Sequence, residues 1–203
     1  VIILIICLVC IVFSAFSYFY FDIPIARFCN SLDKNFLHTF FEFITKFGDS
    51  KWYLIVSFIG ILFFSFVSKD IITCKQCVFF FLAGLLVVGL KHTFARARPK
   101  IYFSQQIYGF RLFDEKRCYN SFPSGHEAVS FSIALAIHYI SKKHFHTTLC
   151  FLGAILIALS RLILTAHYLS DVLSGALIGL LVTYFLSRHF ANNILKLKLT
   201  ESQ

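Results

Sequence analysis

The sequence predicts an all-α protein: a six-transmembrane helix bundle with an amphipathic interfacial helix and an active site at one membrane face. Three observations carry that prediction. Of 203 residues, 58% are hydrophobic and only 14% are charged, against about 25% charged in an ordinary soluble domain. The apolar residues fall into six blocks, and most charges fall between them. Six crossings put both termini on one side and bring the polar segments 22–51, 91–124 and 161–168 together on the other.

Residues 1–21 carry no charge and are long enough to cross a hydrocarbon core of roughly 30 Å. They lack the short apolar region and small-residue cleavage site of a signal peptide, so they read as a retained helix. Residues 22–51 are too interrupted by charge to span. There Phe36, Phe40, Phe43, Ile44 and Phe47 recur at helical spacing, which predicts a helix lying on the membrane surface. The other spans are expected at 52–67, 75–94, 125–140, 147–165 and 168–189. Gly84, Gly89, Gly175 and Gly179 suit close helix packing. No repeat or linker divides the chain, so residues 1–203 read as a single integral-membrane domain.

The net charge is +9. Lys91, Arg96, Arg98, Lys100, Arg111, Lys116 and Arg117 crowd one segment between spans, which points to an anionic substrate or an anionic lipid surface. Nucleic acid is not expected as a partner, because the basic run joins apolar spans and contains no nucleic-acid-binding motif. Charge does not orient the bundle. Twelve Lys and Arg lie on the motif side and seven on the other. Setting aside Lys91, Arg96, Arg98 and Arg161 leaves eight against seven, too close for the positive-inside rule. Among seven cysteines, Cys74 and Cys77 have CxxC spacing but no second ligand pair and no thioredoxin-like surroundings. Cys29 and Cys118 are the two cysteines on the motif side; two free thiols there are expected ahead of a disulfide.

Three short motifs carry the chemistry. Lys91 and Arg98 are seven residues apart, so a continuing helix would place both cations on one face, with Pro99 ending it. Headgroup anchoring is the alternative for such residues. Pro123, Ser124, Gly125 and His126 open the fourth span. A helix start offers free N–H groups and a positive dipole end to a phosphate, Gly125 allows close approach, and His126 would serve as general acid. The alternative is an N-cap serine followed by an interfacial histidine. Finally, Ser160 and Arg161 precede His167 and Asp171, an i, i+4 pair. The carboxylate can fix the imidazole tautomer and free its other nitrogen as nucleophile, and Arg161 can stabilise charge on phosphate oxygens. A purely structural His–Asp pair is the alternative.

Taken in order, these motifs resemble the type 2 phosphatidic acid phosphatase superfamily, whose pattern is KxxxxxxRP, PSGH, then SRxxxxxHxxxD. The motif region covers residues 91–171. The resemblance implies a membrane lipid phosphatase in which His167 forms a phosphohistidine, Asp171 orients it and His126 protonates the leaving group. Lys91, Arg98, Ser124, Gly125 and Arg161 would hold the phosphate, with no metal or other cofactor. It also implies a bacterial inner-membrane location with the site facing the periplasm. The partner is a lipid phosphate. The basic loop favours lipid A, with undecaprenyl diphosphate and phosphatidylglycerophosphate as alternatives. A lipid phosphotransferase and a non-enzymatic lipid-phosphate carrier are the competing functions. Glu127 departs from the family, where small residues are more usual; it would either raise the proton affinity of His126 or face away. Two histidines in opposite protonation states predict a bell-shaped rate profile centred near the ordinary imidazole value of about 6.5.

Overall fold

The computed structural model describes residues 2–32, 36–69, 71–114, 116–141 and 143–200. Among them the secondary structure is helical, apart from one isolated backbone bridge between Arg96 and Phe110. The helices are α1 (Ile2–Tyr20), α2 (Asp22–Ser31), α3 (Phe36–Thr45), α4 (Ser50–Leu62), α5 (Ile71–Phe94), α6 (Pro99–Gln105), α7 (Gly125–Ser141), α8 (His144–Ile163) and α9 (Leu169–Thr200). A 3-10 turn, Lys46–Gly48, joins α3 to α4, and a π-helical stretch, Phe63–Val67, extends α4. Asp49 caps α4 by accepting from the Lys51 backbone N–H at 3.0 Å, relieving one unpaired donor of the first turn.

Three described helical runs are long and apolar enough to cross a membrane: Phe36–Val67, His144–Ile163 and Leu169–Arg188. Helices α1 and α2 add a fourth if their bent pair, 63° at the break, is one crossing. The described apolar part of α5, Phe80–Phe94, is shorter. The segment after residue 21, expected not to span, therefore contributes to two of these runs: α2 to the bent pair and α3 to Phe36–Val67. The phenylalanine stripe of α3 and the 3-10 turn after it points outward: Phe36, Phe40, Phe43 and Phe47 are exposed, while Phe41 is buried and α3 packs on α8. That stripe contacts the surrounding medium, and it belongs to the same helical run as α4.

The bundle has an apolar outside and small or polar residues within. Leu8, Val9, Phe58, Ile59, Leu152 and Ile155 are exposed, whereas Ser14, Ser17, Ser57, Ser130, Ser132 and Thr183 are buried. Ser132 and Thr183 join α7 to α9 at 2.6 Å, and Ser14 and Ser174 join α1 to α9 at 2.7 Å. Such interhelical bonds contribute about 0.6 kcal/mol each in a membrane. Helix α7 lies at the centre, against α8 and α9. Gly175 and Gly179 make its contact with α9 possible: a Cβ would fall on the Ser124 carbonyl from the first and on the Ala128 carbonyl from the second. Gly84 meets Leu54 of α4, whereas among the described residues nothing lies within 4 Å of a Cβ on Gly89, which departs from the close packing expected there.

One ionic network ties α1, α2 and the loop after α5 to the start of α9. Arg96 is completely buried and donates to Asp22 at 2.6 Å, to Asp171 at 2.5 Å, to Ser170 Oγ at 2.7 Å and to Tyr108 at 2.9 Å. Its guanidinium lies 4.5–5.3 Å from the ring centroids of Tyr18, Tyr108, Phe110 and Tyr168. Burial disfavours its charge, but Asp171 and Asp22 more than offset this, so its pKa stands above the ordinary arginine value. Asp22 also accepts from Ser17 and from the Ser170 backbone N–H.

Cys29 and Cys118 are both free thiols, as are Cys74 and Cys77. Cys29 is buried on α2, and Cys74 points its thiol at the Ile61 carbonyl.

Two expected outcomes follow from this packing. Gly179→Leu forces a side chain against helix backbone that cannot rotate away, and overpacking of this kind costs about 1–3 kcal/mol; Gly153→Ala, where a Cβ meets nothing within 4 Å, serves as the neutral control in thermal melts of the detergent-purified protein. Arg96→Met leaves two buried carboxylates uncompensated, and the same melts should register a loss of about 3–5 kcal/mol.

Candidate functional site

The polar ends of α4, α5, α7 and α8 and the turn before α9 surround a cavity of about 670 Å³. Its wall contains Lys91, Arg98, Gly125, His126, Arg161 and His167. Much of the remaining wall is apolar, including Leu54, Phe80, Val87, Val88 and Ile178. The other two residues singled out in the sequence, Ser124 and Asp171, are fully buried and are not among the wall residues, although Ser124 adjoins the wall residue Gly125.

Lys91 and Arg98 converge, but not along one helical face. Helix α5 ends at Phe94, Ala95 turns out with φ +41°, and Arg98 is the extended residue before α6. Pro99 starts α6 instead of merely stopping α5, a position its fixed φ suits. The two cations are brought together by the returning loop: Lys91 Nζ donates to the Asn120 carbonyl at 3.2 Å and Arg98 Nη2 to the same oxygen at 3.4 Å. Arg161, in the last turn of α8, donates to Thr45 Oγ1 at 2.7 Å. All three cations are thus bonded to neutral oxygens. Among the described residues, no carboxylate lies within ion-pair distance of any of them.

Gly125 begins α7, with Ser124 before it. A Cβ on Gly125 would lie 3.1 Å from Ser50 Oγ and 3.6 Å from Lys91 Cε, so glycine keeps the helix start open beside the cation. The Ser124 backbone N–H is already spent on the Asp171 carbonyl at 3.0 Å, and the Ser124 hydroxyl has no partner. His126 follows in the first turn, on the cavity wall.

His167 is placed by the end of α8. The Ala166 N–H bonds to the Arg161 carbonyl at 3.0 Å and the Thr165 N–H to the Leu162 carbonyl at 2.9 Å. This is a Schellman closure, which wants a left-handed residue after the cap; Thr165 takes that conformation with φ +48°. A β-branched residue there is strained. His167 therefore sits in the turn before α9, and its proximity to Asp171 comes from this turn and not from a shared helix face. Its Nδ1 lies 3.7 Å from Asp171 Oδ2, beyond hydrogen-bond reach, and has no hydrogen-bond partner. Asp171 is itself held by Arg96, by Ser121 at 2.5 Å and by the Tyr168 backbone N–H at 2.9 Å. Burial holds the His167 imidazole at about 3, far below its ordinary value; Asp171 opposes this, while Lys91, Arg161 and Arg98 add to it. His167 is therefore neutral across the physiological range.

Sequence reasoning missed Asp22, Ser121 and the bridging role of Arg96. Asp22 had a signal: an acid at the edge of a long apolar block is costly unless paired. Glu127 is buried, off the cavity wall, with both carboxyl oxygens unpartnered. Among the described residues, no group of three or more His, Cys, Asp or Glu side chains is placed to hold a metal ion.

Comparison with known proteins is consistent with this arrangement. The Lipid A 1-phosphatase of Rhizobium etli is 27% identical over 158 residues, 68% of this chain and 65% of that one. The Lipid A 4'-phosphatase of Porphyromonas gingivalis is 29% identical over 170 residues, 77% of this chain and 67% of the relative. The chain spans about two thirds of the length of these curated relatives. Among solved structures, Aquifex aeolicus LpxE aligns with TM-score 0.62 and 26% identity, over 82% of this chain and 94% of that one. The PAP2 type phosphatidylglycerolphosphate phosphatase of Bacillus subtilis aligns with TM-score 0.67 and 25% identity, over 92% and 94%. The PAP2 superfamily profile matches residues 72–195, more than half of the chain and all three motifs: this protein belongs to the PAP2 superfamily.

Proposed function

We propose that this protein is an integral-membrane lipid phosphate phosphatase working through a phosphohistidine. The observation that carries this reading is the single cavity in which Lys91, Arg98 and Arg161 lack anionic partners, His126 and His167 stand on the same wall, and the rest is largely apolar. An anionic headgroup supplies the missing charge, and an acyl chain suits the apolar wall. His167 Nε2, the nitrogen turned away from Asp171, attacks phosphorus. Asp171 orients the ring through Nδ1; catalytic hydrogen bonds are commonly long before substrate binds. His126 gives a proton to the departing lipid oxygen, and in the second step water releases phosphate from His167. Lys91, Arg98, Arg161 and the Ser124–Gly125 helix start hold the phosphoryl oxygens.

In this reading residues 1–203 form one membrane domain, with six crossings that place the cavity at the periplasmic face of a bacterial inner membrane. Lipid A phosphate is the favoured substrate, in keeping with the names of the relatives and the basic loop. Undecaprenyl diphosphate and phosphatidylglycerophosphate are the alternatives, the second supported by the name of the Bacillus subtilis structure. A panel assay of phosphate released from each lipid by purified protein tests the assignment. Steady release separates hydrolysis from both phosphotransfer and a pure carrier function.

His167→Ala should abolish turnover and the acid-labile phosphoenzyme, read by labelled-phosphate trapping; near wild-type release from that variant would overturn the mechanism. His126→Ala should slow turnover and let any phosphoenzyme accumulate. Addition of a chelator should leave the rate unchanged.

The pH profile should differ from a bell centred near 6.5. The nucleophile must be unprotonated, and its value is lowered to about 3. It therefore stays competent as pH falls, and is lost only on approach to that lowered value. After correction for substrate ionisation, the acid limb of kcat/KM should lie below pH 5. An acid limb between pH 6 and 7 would contradict a buried, neutral His167.

A further inference from the structure

Glu127 is completely buried, yet neither carboxyl oxygen has a hydrogen-bond partner. Burying a polar group without a partner is costly, and burying an unpaired charge far more so. The ordinary explanation would be a capping box, since Ser124 and Glu127 have the Ser-x-x-Glu spacing at the start of α7. The structure excludes it. The Ser124 N–H that Glu127 would take is bonded to the Asp171 carbonyl at 3.0 Å, and the Ser124 hydroxyl is also unpartnered and fully buried. Gly175 of α9 presses on this turn: a Cβ there would fall on the Ser124 carbonyl and stand 3.3 Å from Glu127 Cβ. Ser124 is the hydroxyl that acts on the Glu127 carboxyl, short of a formed hydrogen bond, and Arg161 from α8 and Lys91 from α5 are the charges that act on it. His126 is its neighbour in sequence, and α9 presents Gly175.

Two unsatisfied buried groups thus stand side by side, directly behind the helix start where the phosphate is placed. We propose that Glu127 is a positioning residue for phosphate capture: its protonated carboxyl donates to Ser124 Oγ, which commits the hydroxyl proton of Ser124 to a phosphate oxygen. The inference rests on the phosphate-site reading above. The ionised carboxylate would do the opposite. It would accept the Ser124 proton, turn the donor away from the phosphate and add negative charge behind it. Glu127 therefore makes anion binding weaken as pH rises, in a way that the amide of glutamine, a permanent donor, does not.

The test is tungstate binding to the detergent-purified full chain, by thermal-shift titration at submillimolar tungstate from pH 6 to pH 9, where the anion stays a monomeric dianion. In wild type the dissociation constant should rise severalfold across this range; in Glu127→Gln that rise should be reduced. At pH 6 Glu127→Gln should bind within about threefold of wild type, whereas Glu127→Leu and Ser124→Ala should each lose about tenfold, the worth of one hydrogen bond, and the double variant no more than either. A Glu127→Gln profile that follows wild type across the range, or losses that multiply in the double variant, would overturn the proposal. If Glu127→Leu does not fold, the glutamine profile decides alone. Wild-type protein that binds no tungstate would overturn the phosphate-site reading itself, and this inference with it.

Discussion

The buried guanidinium of Arg96 is the fixed point of this bundle. It holds Asp22 and Asp171 at once, and so joins the bend between α1 and α2 to the first turn of α9. The catalytic histidine of the proposed mechanism is aligned by Asp171, Asp171 is aligned by Arg96, and Arg96 is aligned by Asp22 and an aromatic box. A buried ion pair of this kind is seldom a net gain in stability over apolar packing, but removing one partner is severe. Its value lies in geometry. Asp171 Oδ1 faces Arg96, and Oδ2 takes Ser121 and the Tyr168 N–H, which leaves Oδ2 turned toward the imidazole. The carboxylate has little freedom to rotate, so neither has the direction from which it can orient His167.

Much of the site was legible because its chemistry is local in sequence. The helix start at Gly125, the cation in the last turn of α8 and the short step from His167 to Asp171 each follow from a few adjacent residues. What joins them was not local. Lys91 and Arg98 meet through the carbonyl of Asn120, more than twenty residues on, and the straight helix expected between them gives way at Ala95. The break is followed at once by Arg96, whose side chain turns into the protein to Asp22 and Asp171. Asp22 lies 74 residues from Arg96 in the chain, and no periodicity signals such a pair.

The same limit applies to the spans. Apolar blocks mark where lipid is the solvent, and the exposed Leu, Ile and Phe of the helices agree. Blocks do not reveal bends. The broken α1–α2 pair, the 3-10 turn before α4 and the π stretch after it redistribute residues between surface and span while leaving composition unchanged. The outward phenylalanine stripe of α3 shows the ambiguity well. In water such a stripe would face the core; beside lipid it faces out, and the residue that packs inward is Phe41.

The charge arrangement separates two tasks that could have conflicted. A carboxylate close to a phosphate site repels the substrate and competes for its cations. Here Asp171 is ion-paired with Arg96 and, among the described residues, with none of Lys91, Arg98 or Arg161, so in the proposed mechanism it can orient His167 while those cations stay open to the phosphate. Among the described residues those three have carbonyl and hydroxyl partners, weaker than the phosphate oxygens that would replace them. Their mutual repulsion is a strain carried by the resting protein and relieved by an anion. The same repulsion acts on the imidazole they surround, reinforcing burial in keeping His167 unprotonated. In the proposed mechanism one cluster of cations thus serves both to attract the phosphate and to keep the attacking imidazole free of a proton.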